Sequence, residues 1–198
     1  MPPVVVDPAK LHEFVSFDSF YAWLRDNHDS ADEVWIRIFR KSTGKPTISP
    51  TEAIDAVLCW GWIDAIKKSW DEESYVQRYT HRGRKSAWSD VNKANVARLI
   101  EQGLMTEHGL AHVELAKADG RWDASYRTTM EPPEDLLAAI NASPAARAFF
   151  PKLNAQNRFA LIFRTINLKT PAGRARKIAQ FVEMLERGET IYPQKFKP

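Results

Sequence analysis

The sequence predicts an α+β fold, a small antiparallel sheet with helices, followed by a C-terminal helical module. Three observations predict it. Val34 to Arg40 alternates as a strand does, with Val34, Ile36 and Ile38 on one side and Trp35, Arg37 and Phe39 on the other. Gly61 to Trp70 and Tyr75 to His81 read as a hairpin joined by the acidic turn Asp71-Glu72-Glu73-Ser74. Beyond Pro132-Pro133 every apolar stripe has helical spacing.

The first helix is expected to begin near Asp18, which can accept from a first-turn amide, with Phe20, Trp23 and Leu24 on its apolar face. The strand at Val34 is broken by Ser42-Thr43-Gly44-Lys45-Pro46. Ser49-Pro50-Thr51-Glu52 then carries a capping box with proline where its missing N–H costs nothing. Ile54, Val57 and Leu58 give that helix its buried face, and Gly61 ends it. After the hairpin, Ser89 caps a helix with Val96, Leu99 and Ile100, which Gly103 stops in a left-handed cap. Thr106 starts a short helix reaching about Lys117. Ser125 to Pro133 reads as a linker, which divides the chain into an α+β part, 1–130, and a helical part, 131–198. In the helical part Ser143-Pro144, Asn154 and Thr170-Pro171 are start signals, and Gly188 ends the last helix.

A chain of 198 residues can bury a core without covalent staples. Cys59 is the single cysteine, so no internal disulfide forms, and a reducing compartment suits it. The start has no basic segment followed by an apolar stretch, and no run approaches the ~20 apolar residues of a membrane helix. No transmembrane segment and a cytoplasmic location are therefore expected.

The net charge of +3 is too mild to demand a nucleic-acid partner, but its distribution is uneven. Ser74 to Ser89 contains no acid while holding Arg78, Arg82, Arg84 and Lys85. Leu136 to Val182 is also free of acids and holds Arg147, Lys152, Arg158, Arg164, Lys169, Arg174, Arg176 and Lys177.

Motifs with sharp chemical meaning are absent: no Gly-x-Ser-x-Gly, no Walker loop, no Gly-x-Gly-x-x-Gly and no Cys-x-x-Cys pair. No cofactor is expected. His108 and His112 have the four-residue spacing of two metal ligands on a helix, but no Glu follows His108 and no third ligand is evident, so no metal is expected. Cys59 has no histidine beside it to activate it and reads as a small buried hydrophobe. Asp64, on a predicted strand between Trp62 and Lys67-Lys68, is the candidate catalytic acid or base. Its plainer reading is a carboxylate bonded to backbone or to an arginine.

The richest segment runs from Arg78 to Trp88. Arg78, Arg82 and Arg84 supply forks that chelate phosphate or carboxylate. Trp88 offers a stacking platform, and Ser89 and Asn92 stand at a helix start, where amides favour anions. With Gln77 these are the candidate ligand-binding residues. The plainer reading is a solvated basic loop that Trp88 anchors to the core. The helices on either side of Gly103 also have a weak helix-turn-helix outline.

Several of these segments carry a family resemblance. Leu58-Cys59-Trp60-Gly61-Trp62-Ile63-Asp64 resembles the corresponding segment of YdeI-type proteins. Gln77-Arg78-Tyr79-Thr80, then Ser86-x-Trp88-Ser89-x-x-Asn92, then Leu99-Ile100-x-x-Gly103-x-Met105-Thr106-x-x-Gly109 follow in the same order. Ala148-Phe149-Phe150, Asn157-Arg158-Phe159 and Arg174-Ala175-Arg176-Lys177-Ile178-Ala179 resemble the module named bacteriocin-protection, YdeI or OmpD-associated. The resemblance spans about Phe17 to Pro193. It implies a role in bacteriocin, antimicrobial-peptide or stress tolerance and carries over no catalytic residues. A porin association, which the name also implies, fits poorly with a chain expected to have no export signal.

The expected function is thus a non-enzymatic cytosolic protein that binds an anionic small molecule or nucleic acid through the basic loop. One alternative is an enzyme on a small phosphate- or carboxylate-bearing metabolite, with Asp64, Gln77 and Arg78 in one pocket. Another is a protein-interaction module docking through the C-terminal helices, with Phe149, Phe150 and Phe163 as an exposed patch.

Overall fold

The computed structural model describes residues 5–127 and 129–195. The chain divides into two compact units, one up to Ser125 and one from Tyr126 onward. Among the described residues no helix is long and apolar enough to cross a membrane.

The first unit is α+β. Its elements are β1 (Leu11–His12), α1 (Phe17–Asn27), β2 (Glu33–Phe39), α2 (Pro50–Cys59), β3 (Trp62–Ser69), β4 (Ser74–His81), α3 (Asp90–Glu101) and α4 (Glu107–Ala118). The strand order is β1-β2-β4-β3. The predicted hairpin β3–β4 forms, and β2 pairs antiparallel to β4 from Glu33↔Thr80 to Phe39↔Ser74. The short β1 adds a parallel edge to β2, which gives this small sheet a mixed character. Register decides which side chains meet. Val34, Tyr79 and Asp64 stand abreast across three strands, and so share one face of the sheet.

That face carries the core. Val34, Ile36, Ile38 and Tyr79 pack with Phe20 and Leu24 of α1 and with Ala53, Val57, Leu58 and Cys59 of α2. Each fully buried aliphatic side chain of this kind contributes roughly 1.5–3 kcal/mol. The start of α1 lies slightly before the expected Asp18. Ser16 is the cap, accepting from the Ser19 amide at 3.3 Å. Asp18 sits in the first turn, where its charge favours the helix dipole. The capping box of α2 forms as read: the Glu52 amide donates to Ser49 Oγ at 3.2 Å, and the Ser49 amide donates to Glu52 Oε2 at 2.9 Å.

Cys59 is fully buried, and burial together with the neighbouring Asp55 pushes its thiol up to about 12. Such a thiol stays protonated at neutral pH and is a poor nucleophile. A maleimide reagent should therefore label the chain only after the first unit unfolds. Labelling of the native chain at the rate of a free cysteine would mean that the end of α2 opens in solution.

The second unit is helical, with α5 (Glu134–Ala142), α6 (Pro144–Phe149), α7 (Ala155–Ile166) and α8 (Pro171–Glu186). Ser143, Asn154 and Thr170 cap α6, α7 and α8 through their side chains. Leu136, Ile140, Leu161, Ile162, Phe181 and Leu185 form the core. Phe149 and Phe150 are half-buried against that core, and Phe163 stacks on Phe159 at 5.5 Å. The exposed triad expected for docking is therefore largely absorbed into packing.

Candidate functional site

The end of α2 and the start of α4 are locked together, and the lock builds a pocket. Thr106 caps α4 and also donates from Oγ1 to the Cys59 carbonyl at 2.6 Å, while its amide donates to the same carbonyl at 3.2 Å. One turn on, Gly109 lies so close to α2 that a Cβ there would sit 2.4 Å from the Cys59 carbonyl oxygen. Only glycine permits that approach. Gly61, at φ +71°, turns the chain from α2 into β3. A Cβ on Gly61 would lie 2.6 Å from the His112 ring, so the imidazole rests directly on this backbone.

The consequence is a gathering of histidines. His108 and His112 stand one turn apart on α4, His28 caps the C-terminus of α1, and His81 ends β4. These four, of the five histidines in the chain, line one cavity of about 210 Å³ together with Asp29, Trp60, Gly61 and Ala111. The rings pack on tryptophan: His28 on Trp60 at 4.5 Å, His108 stacked on Trp60 at 5.7 Å and His81 on Trp62 at 4.6 Å.

The proton positions follow from the partners. His28 Nδ1 lies 3.1 Å from the Leu24 carbonyl, which can only accept, so Nδ1 carries the hydrogen. In the neutral ring Nε2 is then a bare lone pair, 3.0 Å from His108 Nε2, which donates to it. Asp29 Oδ2 stands 3.3 Å from the same His28 nitrogen. His81 Nε2 donates to the Ala31 carbonyl at 3.0 Å. His112 differs. Burial lowers its pKa, and the positive charge of Arg82, His81 and Arg121 lowers it further.

The residues expected to bind or catalyse are placed as follows. Arg78 forms an ion pair with Glu33. Arg82 is buried, with its guanidinium 3.9 Å over the Trp88 ring and Nη1 donating to the Ala87 carbonyl at 3.2 Å. Trp88 is itself only 1% exposed and packs on Trp122 at 5.0 Å, so it serves the core and the Arg82 cation rather than standing open to solvent. Ser89 caps α3 by accepting from the Asn92 amide at 3.1 Å. Gln77 is half-buried and donates to the Arg78 carbonyl at 3.2 Å. Arg84 is exposed, as is Lys85. Asp64 is exposed on β3 beside Tyr79, whose phenol is raised by burial and, secondarily, by Asp64. Asp64, Gln77 and Arg78, expected in one pocket, do not all share one face of the sheet. Strand alternation puts Asp64 and Gln77 on the face of Tyr79 and Arg78 on the other.

Residues 12–112, just over half of the chain, match the family described as domain of unknown function DUF8412. The chain belongs to that family. The matched segment contains the whole of the histidine pocket. Residues 129–188, in the helical unit, match the family described as bacteriocin-protection, YdeI or OmpD-associated, in agreement with the resemblance of the helical half. The chain thus carries a DUF8412 domain, followed by a helical unit that is similar to the YdeI/OmpD-associated family. No curated protein and no solved structure matches the chain significantly. Of the DUF8412 pocket, only the His108–His112 spacing was visible in sequence. His28 and His81 carry no local signal, because each reaches the pocket from the end of a different element.

Proposed function

We infer that the protein is a non-enzymatic, cytoplasmic accessory of bacteriocin or stress tolerance, and that the pocket of its DUF8412 domain captures an anionic small molecule. The tolerance role follows the description of the family its helical module matches. One observation supports the ligand class: burial and the positive charge of Arg82, His81 and Arg121 lower the pKa of His112, a lining residue of the cavity, with no acid among the causes. Positive charge gathered around His112 raises the local concentration of counter-ions on that side of the cavity. The exposed Arg84 and Lys85, in the neighbouring β4–α3 loop, add a screenable attraction that steers an anion inward. This reading keeps the anion expected from the sequence and moves its seat from the loop to the pocket. The enzyme alternative has less support, since Asp64 and Arg78 lie on opposite faces of the sheet.

The test is a thermal-shift and calorimetric series with inorganic phosphate, pyrophosphate and a nucleoside monophosphate. It is run in a chelator at low and high salt. A ligand at about 100 times its dissociation constant stabilises the folded chain by about 2.7 kcal/mol. His112→Gln, which keeps the volume and removes the imidazole, should weaken binding by about tenfold or more, equivalent to roughly 1.4 kcal/mol. The exposed Arg84→Glu should weaken it only at low salt. If no phosphate-bearing ligand binds at low salt, the reading falls. Binding that survives His112→Gln and is lost in Arg84→Glu would return the ligand to the loop and overturn the pocket assignment.

A further inference from the structure

We propose that His28, Asp29 and His108 form a binding site for a divalent transition-metal ion of the zinc type. Their donor atoms, one from each residue, all lie within 4.8 Å of one another. Two imidazoles bound to one tetrahedral ion, each at about 2.0–2.1 Å, place their nitrogens roughly 3.3 Å apart. The Nε2 atoms of His28 and His108 stand at 3.0 Å, so a few tenths of an ångström of opening admits the ion. Asp29 Oδ2, at 3.3 Å from His28 Nε2, completes a two-imidazole, one-carboxylate set.

Four further observations suit a cation. The Nδ1–H of His28 is fixed on the Leu24 carbonyl, the outer-sphere bond that holds a metal-binding imidazole in the correct tautomer and orientation. His28 caps α1, so the negative end of that helix faces the donors. Glu107 adds a carboxylate 3.9 Å from His108 Nε2. The rings of both histidines are braced by Trp60, which limits the rotamer entropy lost on binding. Imidazole with carboxylate selects zinc and its first-row neighbours over magnesium or calcium.

The pocket is therefore divided by charge. The His28–Asp29–His108 wall carries the acids, while the His81–His112 wall carries the arginines' field. Three protein ligands leave the ion a position open to the cavity, as sites that exchange a water or a ligand require. The metal assignment stands on the donor geometry alone and holds whether or not an anion occupies the opposite wall.

The experiment uses the full-length chain stripped with a chelator and then titrated with Zn2+ by calorimetry, and with Co2+ by visible absorption. One equivalent of Zn2+ should bind and raise the melting temperature, and Co2+ should give the intense bands of a four-coordinate site. His28→Ala and His108→Ala should each weaken binding by more than the roughly 10–100-fold that outer-sphere changes cost. Asp29 is largely exposed, so Asp29→Asn tests a ligand without threatening the fold. It should weaken binding by about tenfold or more while leaving the metal-free melting temperature unchanged. Absence of stoichiometric Zn2+ binding, or affinity unaltered in Asp29→Asn and His108→Ala, would overturn the site. Because the anion series is run in chelator, failure of either proposal is read independently of the other.

Discussion

Gly109→Ala is expected to destabilise the DUF8412 domain by about 2–3 kcal/mol, the cost of overpacking at a rigid contact. On an exposed helix the same change stabilises by up to about 1 kcal/mol, because alanine is the better helix former. The sign reverses here because the three atoms nearest the added methyl are all main-chain atoms. The Cys59 carbonyl oxygen would lie at 2.4 Å, that of Leu58 at 2.6 Å and the Cys59 carbonyl carbon at 2.8 Å. No side chain can swing aside, so α4 itself must lift from the end of α2. That movement breaks the two Thr106 hydrogen bonds to Cys59 and carries His108 and His112 away from His28 and Gly61. Urea denaturation should show the loss directly, with a fall in melting temperature of roughly 10 °C for a unit of this size. Zn2+ affinity should fall in the same variant, because two of the pocket histidines ride on α4. A variant as stable as the parent would mean that α4 does not press on α2 at Gly109, and the assembly of the pocket from that contact would be wrong.

The contrast between what was legible in the chain and what was not follows the range of each interaction. The caps at Ser49, Ser89, Thr106, Asn154 and Thr170 are local, since the accepting side-chain oxygen and the donating N–H lie within three residues. Each is readable from its own neighbourhood. The loop charges were equally visible, but their partners were not. Arg78 is answered by Glu33 on an adjacent strand, and only the β2–β4 register brings the two together. Arg82 looked like a solvent fork because nothing in a local window says that its guanidinium lies over Trp88. The histidine pocket is the extreme case. Its members come from the ends of α1 and β4 and from one face of α4, so no spacing rule connects them. The glycines were the closest thing to a signal. Gly61 and Gly109 read as turn and helix residues, whereas the fold uses both for the close approach of α4 to the α2–β3 corner.

Asn157→Ala is expected to cost the helical unit about 1–3 kcal/mol. Asn157 is fully buried, and its amide replaces a missing strand partner for the tail that follows α8. Oδ1 accepts from the Tyr192 amide at 2.8 Å, and Nδ2 donates to the Tyr192 carbonyl at 3.0 Å and to Gln194 Oε1 at 2.9 Å. Gln194 in turn accepts from the Asn154 amide at 3.0 Å and donates to the Lys152 carbonyl at 3.0 Å, which closes the network on the start of α7. Deleting the amide leaves the Tyr192 N–H without its acceptor, at about 1–3 kcal/mol, while the Tyr192 carbonyl keeps the Thr190 hydroxyl at 2.9 Å. Tyr192 also walls a cavity of about 470 Å³ with Phe159, Phe163 and Arg164, so release of the tail dismantles that recess as well. The loss should appear as a lower unfolding midpoint together with fast hydrogen exchange at the Tyr192 amide. Asn157→Asp separates the two halves of the interaction. A carboxylate still accepts from the Tyr192 amide but cannot donate to its carbonyl, and it brings a charge into a buried site. It should therefore be destabilising even though one bond is kept. If the Tyr192 amide stays protected in Asn157→Ala, the tail is held by the Ile191 and Gln194 contacts instead, and the amide is only one support among several.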